Sequence, residues 1–350
     1  MTLHQRPGDD GAAPAGPTSS AGIQKDNQLW LEDGSIILVA GQTGFRVHKS
    51  QLSRKSAIFR ELFAVPQPIV SVDSLEGCPV VRVPDAAQEL SHLLRYIYDG
   101  RSFIISTTGR PDFVKPTFAT LSALMRLGHK YDIPEAIEDA SSCLQSYYTT
   151  NFDVYKRLRQ RDLVDLLFEL REEDLDADAI ETVNLAMLTG KHSLLPAAMY
   201  RCCQIDSDEL IDGVQRPVRD ARTVHLNADC IRLCRRGREH LIKACGRVLK
   251  VFGLLESPVR CGRCAPVAKQ EGAGSIHDIE LQLTTDPLEL MYGSDALNAL
   301  CSRCQTSMAD HLAAQQRQIW CKLPVYLGID DLEGVEMVAP SPLEGMDWAA

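Results

Sequence analysis

The sequence has no long hydrophobic run. Near its start the longest purely aliphatic stretch, Ile36 to Ala40, has 5 residues, whereas a helix needs about 20 apolar residues to cross a bilayer. Residues 1–25 are rich in Gly, Pro, Ala and Ser and contain no apolar segment that an export pathway could recognise. We therefore expect a protein without a membrane helix that stays in the cytoplasm or the nucleus.

Positive charge is also scarce. Lys and Arg number 37 against 47 Asp and Glu, which gives a formal net charge of −10. Six of the acidic residues follow Ile329 and no Lys or Arg accompanies them, so residues 1–329 carry a net charge of only −4. Such a chain lacks the basic field that non-specific nucleic-acid binding needs. We do not expect nucleic acid or a membrane among its partners.

Familiar catalytic motifs are missing as well. The chain contains neither HExxH nor GxSxG. The run from Gly190 to Ser193 departs from a phosphate-binding loop because His192 stands where Ser or Thr must reach magnesium. His48 has no Ser, Cys or acidic partner at a motif spacing, so we interpret it as a hydrogen-bonded structural residue. The sequence predicts a protein that is not an enzyme, with no catalytic residues.

The overall composition is that of an ordinary globular protein. The length of 350 residues exceeds the usual size of a single domain and predicts two. Residues 35–48 are aliphatic and then alternating, which predicts a β-hairpin. Amphipathic helices follow within 51–64, with Ser56 as an N-cap, and a short strand at 79–84 precedes three further helices. Beyond residue 150 the pattern is almost wholly helical.

These patterns predict the following organisation. The fold class is α+β, with a short β-sheet flanked by helices in the first domain and a mainly α-helical second domain. The expected bounds are a disordered N-terminus at 1–25, an interaction domain at 26–150, a helical C-terminal domain at 151–329 and an acidic flexible tail at 330–350.

One stretch of the first domain resembles a known family. Eight residues stand in register with the signature of the BTB (POZ) domain: Phe45, His48, Lys49, Leu52, Ser56, Phe59, Leu62 and Phe63. Downstream, residues 77–84, 124–136 and 317–324 are similar to the large fungal, basidiomycete-type group of BTB proteins, in which such a domain precedes a long helical region.

The resemblance implies a domain that binds other proteins, most often a second copy of itself. In such domains the first helix and the adjoining strand supply the dimer face. The residues that the resemblance places in this face are Val47, Lys49, Leu52, Ser53 and Ile58. We therefore expect a homodimerising scaffold or adaptor.

Two departures from the family pattern bear on its other roles. Ser35 occupies the position at which family members commonly have an Asp that forms the bottom of a charged groove. Residues 101–115 also lack the hydrophobic-x-Glu tripeptide that is often found in members that recruit cullin ubiquitin ligases. A cullin substrate adaptor stays open as an alternative function, with a cullin as partner.

Four of the twelve cysteines form two CxxC pairs, Cys261 with Cys264 and Cys301 with Cys304. Two such turns can complete a tetrahedral zinc site with no open position for substrate. The 36 residues between the pairs exceed the usual 15 to 20 or so. A structural zinc and two unrelated pairs therefore both stay open, with His311 or Cys321 as substitute ligands.

A long helix is predicted over 228–252 and capped by Asn227. Its cysteines, and those at 202 and 203, are interpreted as small core residues. The same helix carries seven basic side chains, at 232, 235, 236, 238, 243, 247 and 250. Without interleaved aromatic residues they favour a solvated or intramolecular role. A zinc-dependent regulator associated with nucleic acid or transcription is the remaining alternative.

Overall fold

The structure is a computed structural model. It describes residues 22–64, 74–105, 114–160, 166–216, 222–253, 261–266, 285–289 and 300–338. The contacts within the chain separate it into two compact units, which divide between Tyr98 and Asp99. Among the described helices, none combines the length and the apolar composition that a bilayer-spanning segment requires.

Five strands build the first unit. They are β1 (Gln24–Trp30), β2 (Ile36–Ala40), β3 (Thr43–Val47), β4 (Ser74–Leu75) and β5 (Cys78–Val83). They form one sheet in the order β1-β3-β2-β5-β4. The expected hairpin is β2 with β3, which pair antiparallel around Gly41 at a φ of 57°. β2 is buried along its whole length between β3 and the parallel β5, which explains its unbroken aliphatic sequence.

Three helices complete this unit: α1 (Lys49–Lys55), α2 (Ala57–Ala64) and α3 (Ala87–Asp99). Ser56 separates the first two, and its hydroxyl accepts a hydrogen bond of 3.0 Å from the backbone N–H of Phe59. This contact confirms Ser56 as the N-cap of α2. The apolar face of α3 is buried, including Leu90, Leu94 and Ile97.

The second unit is mainly helical. The α-helices among its described residues are α4 (Phe118–Lys130), α5 (Pro134–Gln145), α6 (Phe152–Arg159), α7 (Leu175–Thr189), α8 (Leu195–Cys202), α9 (Ser207–Asp212), α10 (Ala228–Gly253), α11 (Ser302–Cys321) and α12 (Leu323–Leu327). Two short strands of two residues each, β6 (Val214–Gln215) and β7 (Thr223–Val224), pair antiparallel. Asn227 caps α10 by accepting a hydrogen bond from the N–H of Asp229. The predicted α+β class, with a helical region after the sheet domain, is confirmed.

The predicted disordered N-terminus needs a correction at its end. Residues 24 and 25 begin β1, which pairs in parallel with β3 and buries Leu29. Residues 24–28 are all polar, so their composition does not predict a strand. The strand forms because this segment pairs with β3. Residues 1–21 lie outside the described part of the chain.

Two other predicted bounds differ from the division of contacts. The contacts divide at Tyr98, inside the predicted 26–150 domain, because α4 packs against both α5 and α7. Residues 330–338, at the start of the predicted tail, are packed on the second unit, since Val335 is buried and the N–H of Val338 donates to the carbonyl of Thr150. Residues 339–350 lie outside the described structure, and the domain bounds stay a prediction.

Candidate metal centre and interaction surface

The two CxxC pairs come together in the second unit. The sulfur atoms of Cys261, Cys264, Cys301 and Cys304 all lie within 4.8 Å of one another. Cys264 and Cys304 are buried, and the other two are half-buried. The four residues lie close enough to bind one metal ion, although 36 residues separate the pairs in sequence.

Both pairs adopt the same backbone turn. The carbonyl of Cys261 accepts hydrogen bonds from the N–H groups of Cys264 and Ala265, at 3.0 and 2.9 Å. The carbonyl of Cys301, which is the N-cap residue of α11, does the same for Cys304 and Gln305, at 2.9 Å each. Each turn therefore directs two sulfurs to one side, as a metal knuckle requires.

Hydrogen bonds and burial shift the pKa values of the cysteine thiols in different directions. The backbone N–H of Cys304 bonds the sulfur of Cys301 and lowers the pKa of that thiol to about 7. Burial raises the pKa of Cys304 to about 12. A hydrogen bond of 3.3 Å also runs from the N–H of Cys301 to the sulfur of Cys264 and links one turn to the other. An ion would have to displace the remaining protons on binding.

The predicted substitute ligands lie apart from this cluster. The metal-ligating group found among the described residues contains the four cysteines, without His311 or Cys321. Cys321 is the last residue of α11 and Cys304 is in its first turn, so the helix separates them by about 25 Å.

In the first unit, the residues predicted to bind a partner lie on helices α1 and α2, except Val47, which ends β3. We call the half-buried and exposed residues Lys49, Ser53, Ile58 and Phe63 the α1–α2 surface. Ile58 is 42% exposed, which is high for a large apolar side chain. Phe63 stacks on the buried Phe59 at a centroid distance of 5.9 Å, and the Lys49 ammonium lies 6.0 Å from the Phe63 ring centre.

His48 lies at the start of α1, and its backbone N–H and both ring nitrogens have polar partners. Its Nδ1 is 2.9 Å from the hydroxyl of Tyr98, which also accepts the backbone N–H of His48 at 2.9 Å. Its Nε2 is 3.2 Å from a carboxylate oxygen of Asp33. The hydrogen bond from His48 lowers the pKa of Asp33. His48 is hydrogen-bonded as predicted, but no motif indicated its acidic partner Asp33, which lies 15 positions earlier.

A comparison with known families identifies the domain that contains this surface. Residues 31–147, a third of the chain, match the family model of the BTB/POZ domain. These residues form a BTB/POZ domain. The match begins after β1 and ends just after α5, and it confirms the resemblance carried by residues 45–63. A search of curated proteins gave no significant match. The fungal grouping stays a prediction.

The structure divides the five residues expected in the dimer face of the BTB/POZ domain. Val47 and Leu52 are fully buried in the core, so in this structure their side chains are not accessible to a partner. Lys49 and Ser53 are half-buried and Ile58 is exposed. Ser35, at the position of the usual Asp, accepts the N–H of Lys49 at 3.0 Å and so holds the start of α1.

The second unit contains a buried charge cluster that no sequence motif indicates. The guanidinium of Arg216 bonds Asp178 at 2.6 Å and Glu181 at 2.7 Å. Glu181 also pairs with Arg126 and accepts the hydroxyl of Ser122. Burial raises the pKa of Asp178 to about 7, although Arg216 opposes this. The partners lie 35 and 38 positions from Arg216, and no sequence pattern links them.

The remaining cysteines and the basic helix behave largely as expected. Cys202, Cys203, Cys230, Cys234 and Cys245 are buried core residues. On α10, Arg238 donates to the carbonyls of Cys203 and Ile205, and Arg247 donates to the hydroxyl of Tyr326. Part of the basic face therefore has an intramolecular role.

Proposed function

We propose that this protein is a non-catalytic scaffold or adaptor whose BTB/POZ domain forms a homodimer through the α1–α2 surface. The observation that carries the proposal is the BTB/POZ match together with the exposed Ile58 on the helices that follow the hairpin. BTB/POZ domains generally act as protein-interaction modules. Its mechanism is the burial of apolar surface between chains.

The α1–α2 surface has the layout of an interface. Ile58 offers an apolar centre, and the half-buried Phe63 adds aromatic area that the buried Phe59 holds in place. The other exposed side chains of these two helices are charged or polar, apart from Ala64, and typical interfaces likewise combine an apolar core with a polar rim. A few residues near the centre of an interface usually contribute most of the binding energy.

Because the α1–α2 surface is basic, the salt dependence of binding should differ between a second copy of the chain and an acidic partner. The exposed charged residues of α1 and α2 are Arg54, Lys55, Arg60 and Glu61, and Lys49 is half-buried beside them. A two-fold contact centred on Ile58 brings two copies of this basic rim together. Added salt should screen that repulsion and strengthen the homodimer, whereas it should weaken the binding of an acidic partner.

The test is the mass of the full chain in solution, measured by light scattering at micromolar concentration. The wild type should be a dimer, and Ile58→Glu should weaken the dimer at least about tenfold because it places a carboxylate at the apolar centre. Ile211→Glu is the matched control, since Ile211 is 53% exposed on α9 in the second unit. The control should remain a dimer.

Other outcomes would replace the proposal. A wild-type chain that is strictly monomeric, or a dimer that Ile58→Glu leaves intact, contradicts the homodimer through this surface. A monomer that co-purifies a cullin would instead favour the ubiquitin-ligase adaptor. Salt-sensitive binding of DNA or RNA would favour a nucleic-acid-associated regulator that uses the exposed Arg235, Arg236 and Lys243 of α10.

A further inference from the structure

We propose that Cys261, Cys264, Cys301 and Cys304 hold one structural zinc ion, which ties residues 261–266 to the first turn of α11. The inference does not depend on the homodimer, since all four residues lie in the second unit. It rests on the convergence of four sulfurs from two distant turns.

The donor set favours zinc over other common metal ions. Four thiolates are soft ligands, which calcium and magnesium do not accept and which suit zinc in a tetrahedral site. Four sulfurs bound at about 2.3 Å from one ion lie about 3.8 Å apart. The four sulfur atoms already lie within 4.8 Å of one another, so only a small inward movement is needed.

The surroundings of the sulfurs also fit an anionic metal–thiolate centre. The N–H of Cys301 points at the sulfur of Cys264 at 3.3 Å, which is the kind of outer hydrogen bond that orients metal ligands. The N-terminus of α11, with its partial positive charge, lies at Cys301. Four thiolates around one divalent ion leave a net charge of −2, which the helix terminus and the adjacent Arg263 and Arg303 offset.

The site is structural because the protein fills every coordination position. Catalytic zinc sites keep one position for water or substrate, and four cysteines leave none. The apolar cluster around the sulfurs is small, with Leu300 and Met308 as its other buried members. Such a cluster supplies little folding energy by itself, so an ion that joins the two turns would contribute much of their stability.

The first measurement is the metal content of the full chain, purified without chelators and without a metal-affinity step. Mass spectrometry of the metals should find about one zinc ion per chain. Cys261→Ser and Cys301→Ser should each lower the zinc content at least about fivefold. Cys321→Ser is the control, because Cys321 lies on the same helix outside the cluster and should leave the zinc content unchanged.

A second measurement covers the case in which the serine variants fail to fold. Wild-type chain stripped with a chelator should bind Co²⁺ and show the visible absorption of tetrahedral cobalt thiolate, and one equivalent of Zn²⁺ should remove that absorption. Zinc below about 0.2 per chain in the wild type, with no cobalt spectrum, would overturn the proposal. Bound iron with sulfide in place of zinc would overturn it as well.

Discussion

Arg216 balances the charge of a buried carboxylate pair, and its loss should be costly. Arg216→Met keeps most of the side-chain volume but leaves Asp178 and Glu181 without their shared cation. Removing one partner of a buried ion pair typically costs about 3–5 kcal/mol. Arg232→Met is the control, since its pair with Asp229 is exposed and should contribute at most about 1 kcal/mol. Urea unfolding of both variants measures the difference.

The same substitution has a pH signature. Burial raises the pKa of Asp178 to about 7 from an unfolded value of 3.8, and without Arg216 that pKa should rise further. A group whose acid form is favoured by folding contributes stability at low pH and loses it as the pH rises through its folded pKa. The destabilisation of Arg216→Met should therefore be smaller at pH 5 than at pH 8. An equal loss at both pH values would contradict a buried, ionised Asp178.

For single residues, the sequence predicts contacts between neighbours along the chain but not contacts between residues that are far apart in sequence. Ser56 was predicted as an N-cap because its partner is only three residues away. The cysteine pairs were readable for the same reason, although the long separation left their convergence open. Arg216 and Asp33 gave no signal because their partners are set by the tertiary fold.

At the scale of elements, α10 carries two glycines in different surroundings. A Cβ added at Gly237 would lie 2.7 Å from Leu327 and 3.3 Å from the sulfur of Cys203, whereas one added at Gly246 would meet nothing within 4 Å. The close approach of α10 to α12 therefore requires a glycine at 237 only.

We predict opposite effects of one substitution at these two glycines. Gly246→Ala should stabilise the protein by about 0.5–1 kcal/mol because alanine is the better helix former. Gly237→Ala gains the same helix propensity but should be net destabilising by about 1 kcal/mol, because overpacking costs about 1–3 kcal/mol. Thermal unfolding of the two variants tests the packing of α10. Equal stabilisation by both would contradict the contact with Leu327.

Hydrophobic periodicity predicts the strands and helices with a clear apolar pattern, but it does not predict β1, whose pattern is weak. The aliphatic β2 and the amphipathic α3 were predicted because a buried strand and a half-buried helix have distinct spacings. β1 was missed because its five leading residues are polar and its place is set by pairing with β3. Edge strands of this kind take their structure from a neighbour, so their own sequence predicts little.

At the scale of the whole molecule, the family match and the contacts divide the chain at different places. The BTB/POZ match runs to residue 147, while the contacts divide at Tyr98. The helical C-terminal part of the domain, α4 and α5, therefore shares its packing with α7 of the region that follows. A sequence boundary reflects composition and motif, and it cannot show which helices share a core.

The proposed binding of a second copy of the chain can be measured in solution. Sedimentation equilibrium of the full-length wild type, at several micromolar concentrations and at about 0.05 and 0.5 M salt, tests it most directly. We expect a mass of twice the 38.7 kDa of one chain, with tighter association at the higher salt. A mass of one chain at every concentration and salt would contradict it.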